Sequence, residues 1–207
     1  MIKNYIWDFD GTLFDTYPAM VEGVSQALQD FGIERPKKEI YRVMKQESVR
    51  KLRESCQLEE ASFNQLFHQY EEQYQELSVP FKETEMVLRR LKQKGAKHYI
   101  LTHRVTASTW KLLKVFELAD LIEEVIGIDQ GFARKPAPDA ISHLIDRYHL
   151  DPEKTMMVGD RRLDIEAGIN AKIHTCLYDI DHFLGEIPAD HIVANLADIL
   201  AIEKNAE

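Results

Sequence analysis

Residues 2–16 read IKNYIWDFDGTLFDT, and the fold is decided there. The apolar run Tyr5-Ile6-Trp7 stops abruptly at Asp8-Phe9-Asp10-Gly11-Thr12. A short run of aromatic and β-branched residues ending this way reads as a strand buried on both faces. Such strands belong to parallel α/β sheets, whose ligands bind beyond the strands' carboxyl ends. Asp8 and Asp10 stand at that end.

Two carboxylates this close repel, and without a countercharge at least one keeps its proton. A divalent cation is the usual solution, and hard oxygen ligands favour magnesium. Gly11 permits a tight turn with no side-chain clash. A lone DxD after a strand is often only a polar turn, whereas a strand running directly into DxDGT is far more specific. The stretch DFDGTLFDT resembles the first motif of the haloacid dehalogenase-like hydrolases.

Past this stretch the pattern turns helical. Met20, Val21, Val24, Ala27, Leu28 and Phe31 form one stripe over residues 17–32, with Gly32 as the stop. Weaker helical patterns run over 37–56, and a clearer one over 59–77 carries Phe63, Leu66, Phe67, Tyr70, Tyr74 and Leu77. No strand is predicted between 17 and 80. This segment reads as an all-helical cap, residues 16–80, inserted into a core formed by 1–15 and 81–207. Boundaries are expected near 15–17 and 79–83, with the insert hanging over the mouth of the sheet on two hinges.

From Pro80 strands and helices alternate. Strands are expected at Tyr99–Leu101, Val125–Ile126, Met156–Val158, Ile173–Leu177 and Ile192–Val193. Helices are expected up to Gly95, around Trp110–Phe116, over 138–149 and 162–169, and near 195–202. Alternation of this kind means an α/β, Rossmann-like parallel sheet with right-handed crossovers.

Three further motifs complete the resemblance. Tyr99-Ile100-Leu101-Thr102 is an apolar strand ending in a hydroxyl, which with nearby backbone N–H groups can hold a phosphate oxygen; alone it reads as an N-cap threonine. Lys135 lies in Arg134-Lys135-Pro136-Ala137-Pro138, a loop stiffened by two prolines. Met156-Met157-Val158-Gly159-Asp160-Arg161-Arg162-Leu163-Asp164 is an apolar strand followed by GDxxxD. Asp164 lies one helical turn beyond Asp160. Arg161 stands where relatives frequently carry a small hydroxyl residue, with Asp15, substrate or water as its open partners. Four motifs in this order span the core from end to end.

The resemblance implies a magnesium-dependent phosphatase acting on a small phosphorylated metabolite through an aspartyl-phosphate. It implies Asp8 as nucleophile, Asp10 as acid and base, and Thr102 and Lys135 as phosphoryl-binding catalytic residues. Magnesium falls to the Asp8 and Asp160 carboxylates and the Asp10 carbonyl, with Asp164 supporting metal-bound water or Lys135. Arg104, beside Thr102, is a candidate substrate contact, as is Lys45 in the cap loop Lys45-Gln46-Glu47-Ser48. For both, a solvated charge is the bland alternative. A phosphoglucomutase-like phosphotransferase shares all four motifs and stays open as the second reading. A carbon–halogen dehalogenase is disfavoured by Asp10 together with Asp160, and a non-catalytic scaffold by the full acidic set.

Composition agrees with an enzyme of small molecules. At 207 residues, 44% hydrophobic, the chain can bury one good core and a smaller second one. A net charge of −9 disfavours nucleic acid and acidic membrane surfaces as partners. With a catalytic strand starting at residue 2, no signal peptide is expected, and no apolar run suggests a membrane span. Cys56 and Cys176 fall in different expected domains, which suits free thiols and a cytoplasmic protein, as monomer or homodimer. The scattered histidines show no HxH or HExxH spacing, so zinc is not expected.

Overall fold

The structure, a computed structural model, describes residues 1–202. Its chain divides into two compact units, Met1–Phe14 with Pro80–Glu207, and Asp15–Val79. The first unit is built on a six-stranded sheet in which every adjacent pair is parallel. Its strands are β1 (Asn4–Trp7), β4 (Lys97–Leu101), β5 (Glu124–Ile126), β6 (Thr155–Gly159), β7 (His174–Tyr178) and β8 (His191–Val193). They lie in the order β5-β4-β1-β6-β7-β8. The first strand is therefore central, flanked by the two strands that carry the Thr102 and Asp160 motifs. The α/β parallel sheet expected from the alternation is the one observed.

Side-chain alternation along the strands builds two cores, one on each face. Tyr5, Trp7, Ile100, Val125, Met156 and Val158 face one way. They pack on α5 (Thr84–Gln93), α6 (Thr106–Val115) and α9 (Ile199–Ile202) through Leu88, Leu91, Leu112, Leu113 and Ile199. Ile6, Tyr99, Leu101, Ile126 and Met157 face the other way, onto α7 (Asp139–Tyr148) and α8 (Arg162–Asn170) through Ile141, Leu144 and Ala167. Burial on both faces explains why the strands read as unbroken apolar runs.

The Asp15–Val79 unit carries α1 (Tyr17–Asp30), α2 (Lys37–Gln46), α3 (Val49–Ser55) and α4 (Glu60–Gln73). Its own core joins Val24, Leu28, Ile40, Met44, Leu52, Phe63 and Phe67. A Cβ on Gly23 would lie 2.9 Å from the Glu71 backbone nitrogen, so glycine lets α1 press against α4. The weak pattern over 37–56 is two helices, because Ser48 takes an extended conformation and caps α3 by accepting the Lys51 N–H at 3.0 Å. One feature departs from expectation. Where no strand was predicted, β3 (Val79–Pro80) pairs with β2 (Phe14–Asp15) in a two-stranded ribbon at the unit boundary. Two residues are too few to show a period.

A buried polar relay pins β1 to β4. Trp7 Nε1 donates to His98 Nδ1 at 3.1 Å, and His98 Nε2 lies 3.0 Å from the Leu88 carbonyl. Indole only donates and a carbonyl only accepts, so the ring must be neutral with its proton on Nε2. Burial pushes this histidine from 6.5 down to about 4. The unfolded chain thus takes up the proton first, and the stabilisation present above pH 6.5 is lost as pH falls toward 4. His98→Gln keeps an acceptor and a donor but cannot titrate. Between pH 7.5 and 4, wild type should lose about 3 kcal/mol more unfolding free energy than the variant, measured by urea denaturation. Equal losses would remove His98 from the pH response.

Candidate active site

The polar centre lies at the carboxyl ends of β1, β4 and β6. Asp8 remains tied to the sheet, its N–H donating to the Val158 carbonyl at 2.8 Å. Immediately after it the chain coils into a tight turn. The Phe9 carbonyl accepts from Leu13 at 3.2 Å and Phe14 at 3.0 Å, while Gly11 donates to the Phe14 carbonyl at 2.7 Å. Gly11 has φ 84°, a left-handed conformation that a side chain would strain.

Lys135 organises the group. Its Nζ lies 2.5 Å from Asp8 Oδ1, 2.6 Å from Asp164 Oδ1 and 3.0 Å from the Leu101 carbonyl. Asp8 and the Leu101 carbonyl accept hydrogen bonds from the ammonium, and Asp164 stands beside it as an ion pair. Lysine and both acids are buried, with side-chain exposures of 1%, 2% and 0%. Asp164 also accepts the Arg161 N–H on Oδ2 at 3.0 Å, fixing its carboxylate at the start of α8. Asp160, fully buried, completes a carboxylate cluster: Asp8, Asp160 and Asp164 each offer an oxygen within 4.8 Å of the others. The Arg161 guanidinium approaches Asp160 at 3.9 Å, a neighbour that sequence reading did not consider.

The electrostatics follow from burial. Loss of water pushes the Asp8 carboxyl up to about 8, Lys135 pulling it down and Asp164 and Asp160 raising it further. For Lys135, burial is outweighed by Asp164 and Asp8, which hold the ammonium charged above its ordinary range. Asp164 is held below its ordinary value despite burial, by Lys135 and Arg161. Burial, with Lys135 and Arg161 nearby, pushes His103 down to about 3, so its ring is neutral near pH 7. Three carboxylates against one touching ammonium form an oxygen-rich, electron-rich set. Its donor chemistry fits a hard divalent cation, for which Asp8, Asp160 and Asp164 each offer one oxygen.

Asp10 turns elsewhere. Its carboxylate takes Arg104 Nε and Nη2 on the same oxygen, Oδ1, both at 2.9 Å. Thr102 Oγ1 lies 3.4 Å from the other oxygen and accepts the Arg104 N–H at 3.0 Å. Asp10 therefore contributes no side-chain oxygen to the carboxylate cluster; any metal role would fall to its main chain, as the resemblance implied. Asp8, Asp10, Thr102, Arg104, Lys135, Asp160 and Asp164 all lie in the sheet unit. Lys45 belongs to the helical unit, where its ammonium stands 5.2 Å from the centroid of the Tyr17 ring.

Sequence reading passed over the reason for Gly159. A Cβ there would fall 2.2 Å from Asp164 Cβ and 2.4 Å from its Cγ. The glycine of GDxxxD leaves the space into which Asp164 folds to reach Lys135. An absent side chain leaves no periodic signal.

A parallel sheet with acids at the ends of its central strands, and a lysine delivered to them by a loop, defines an α/β protein with a charged centre suited to phosphoryl groups and metal ions. The chain belongs to the haloacid dehalogenase-like hydrolases, whose family model matches residues 5–178. It is 29% identical over 202 residues to a phosphoglycolate phosphatase of Aliivibrio fischeri, covering 91% of this chain and 89% of that protein. A pyrophosphatase PpaX of Listeria welshimeri is 25% identical over 214 residues, covering 100% and 98%. Among solved structures, a predicted phosphoglycolate phosphatase from Haemophilus somnus shares the fold with a TM-score of 0.81, at 24% identity and 98% coverage of both chains.

Among the described residues, no helix is long and apolar enough to cross a membrane. Cys56 and Cys176 are both free thiols.

Proposed function

We propose that this hydrolase is a magnesium-dependent phosphatase that removes the phosphoryl group from a small phosphorylated metabolite through an aspartyl-phosphate on Asp8. The observation that carries the reading is the contact of one buried ammonium, Lys135, with both Asp8 and Asp164 beside Asp160. The relatives support the substrate class. Phosphoglycolate and pyrophosphate, named for two of them, are both small and carry a second anionic group beside the phosphate.

In this reading Asp8 Oδ attacks phosphorus, and the bond to the leaving oxygen breaks as Asp10 gives that oxygen a proton. Asp10 then takes a proton from the water that attacks the aspartyl-phosphate, which returns Asp8 and frees phosphate. Lys135 and Thr102 orient the phosphoryl oxygens and offset their charge, which is most of what phosphoryl transfer asks of a protein. Asp8, Asp160 and the Asp10 carbonyl would hold magnesium, which when bound would supply positive charge for the phosphoryl oxygens. Asp164 holds Lys135 in place. The helical unit acts as a cap, with Lys45 among its substrate contacts, and the protein works in the cytoplasm as a monomer or homodimer.

A screen of phosphorylated metabolites for phosphate release, with magnesium and with chelator, tests the reading. Magnesium-dependent release from at least one small phosphate ester supports it. A sugar phosphate isomerised without release would instead favour a phosphotransferase, and inertness toward every ester and aryl phosphate would overturn the enzymatic assignment.

Gly159→Ala probes Asp164. Overpacking should cost about 1–3 kcal/mol of stability. Displacing Asp164, and with it Lys135, should lower kcat about a hundredfold. Thermal denaturation and phosphate release check the two effects separately. Unchanged kcat would show that Lys135 does not need Asp164 in its present position.

A further inference from the structure

We infer that His103 is a further phosphoryl-binding residue: its ring, with the proton on Nε2, donates a hydrogen bond to an oxygen of the phosphoryl group held by Thr102 and Lys135. This rests on the phosphatase reading above and adds a donor that the reading does not assign. His103 Nε2 is buried from solvent and has no hydrogen-bond partner among the described residues. A buried polar nitrogen left unpaired costs stability that an apolar side chain of similar shape would not. The chain nevertheless places one beside the catalytic cluster.

Local geometry explains how the ring reaches it. Strand β4 ends at Leu101, and the Arg104 N–H turns back to Thr102 Oγ1 at 3.0 Å. The chain bends at His103, so strand alternation no longer sends its side chain to the face opposite Thr102. The Lys135 ammonium lies 3.0 Å from the Leu101 carbonyl, only two residues before His103. Lys135, Arg161, Asp164 and Arg134, in falling order, are the charged groups that act on the ring. Three are cations and one is an acid, so an anion is the ligand this environment draws. Burial and the same cations keep the imidazole neutral, and a neutral imidazole can carry its proton on either nitrogen.

A transferring phosphoryl group spreads its charge over three oxygens. Thr102 has a single hydroxyl proton to offer them. Lys135 already donates to Asp8 and the Leu101 carbonyl and pairs with Asp164. An uncharged N–H from His103 adds a donor on the β4 side without adding a cation that would compete with Lys135 for Asp8.

The test measures kcat/KM on the best ester from the screen, and the inhibition constant of inorganic phosphate, in magnesium buffer for wild type, His103→Gln and His103→Leu. His103→Leu should lower kcat/KM about tenfold or more and weaken phosphate about tenfold, the usual loss for one hydrogen bond to a charged group. His103→Gln keeps an N–H and should recover most of both. Without phosphate, His103→Leu should melt no lower than wild type, because the unpaired nitrogen is gone. A merely structural histidine would give a lower melting point and an unchanged inhibition constant. His103→Met serves in the same way if His103→Leu does not fold. An unchanged inhibition constant in the apolar variant overturns the inference, whether or not kcat/KM falls, and leaves the phosphatase reading intact. Losses in His103→Gln as deep as in His103→Leu overturn it too, since the N–H would then not be what counts. A wild type that releases phosphate from no ester would instead bring down the phosphatase reading and this inference with it.

Discussion

Asp8→Asn is expected to lower turnover by about four orders of magnitude or more while the protein stays folded. Asparagine has nearly the shape of aspartate, so the turn at Phe9–Phe14 and the sheet bond to Val158 need not move. What it lacks is an anionic oxygen able to bond phosphorus. It also lacks the buried carboxyl that the site pushes up to about 8. An acid with a raised folded pKa binds its proton more tightly in the folded state, so its contribution to stability falls as pH rises from about 4 toward 8. In cation-free buffer at pH 8 the variant should therefore unfold no earlier than wild type, which separates loss of chemistry from loss of fold.

Asp10→Asn makes the useful contrast. With an aryl phosphate, whose leaving group departs without help, the attack by Asp8 should still occur. Asp10 is then missing only for hydrolysis of the intermediate. Intact-protein mass spectrometry should find one added phosphoryl group on Asp10→Asn and none on Asp8→Asn. Full activity in purified Asp8→Asn, or a phosphorylated Asp8→Asn, would refute the nucleophile assignment.

How much of this was legible beforehand depended on whether a feature repeats along the chain. Strands β1, β4 and β6 announced themselves because burial on both faces writes an unbroken apolar run into each. The helical stripes of α1 and α4 did so because one face of each is buried. Asp8, Thr102, Lys135 and Asp160 stand out in the sequence because each sits where such a run stops or a proline-fixed loop begins. Contacts between distant residues outside the motifs were not legible. Trp7 and His98 lie on adjacent strands, 91 positions apart in sequence, and neither belongs to a motif. Arg104 stood out only as a charge near Thr102; that its guanidinium meets Asp10 depends on rotamers no pattern encodes. Asp164 reads from its spacing and the family resemblance as a support for metal-bound water or Lys135, but its place in the carboxylate cluster depends on the room Gly159 leaves, which no pattern shows.

The second large effect is expected at Lys135, and it tests whether that residue acts as a charge or as filler. Lys135→Met keeps much of the apolar stem and removes the ammonium. Two acids with side-chain exposures of 2% and 0% then lose their shared countercharge. Removing one partner from a buried ion pair typically costs about 3–5 kcal/mol, because the charge left behind is uncompensated. That cost has a pH signature. Without the ammonium, Asp8 and Asp164 gain affinity for protons in the folded state, so the deficit should be largest at pH 8 and shrink toward pH 5 as the acids take up protons. Magnesium should restore part of the stability at pH 8, since a cation among Asp8, Asp160 and Asp164 replaces the missing charge. It should not restore turnover, expected to fall about a hundredfold or more, because the donor that Lys135 offers the phosphoryl group is gone. Thermal denaturation at the two pH values, with magnesium and with chelator, reads each of these. A deficit equal at both pH values and indifferent to magnesium would mean that Lys135 supports the site by packing alone, and the electrostatic account of the cluster would fall.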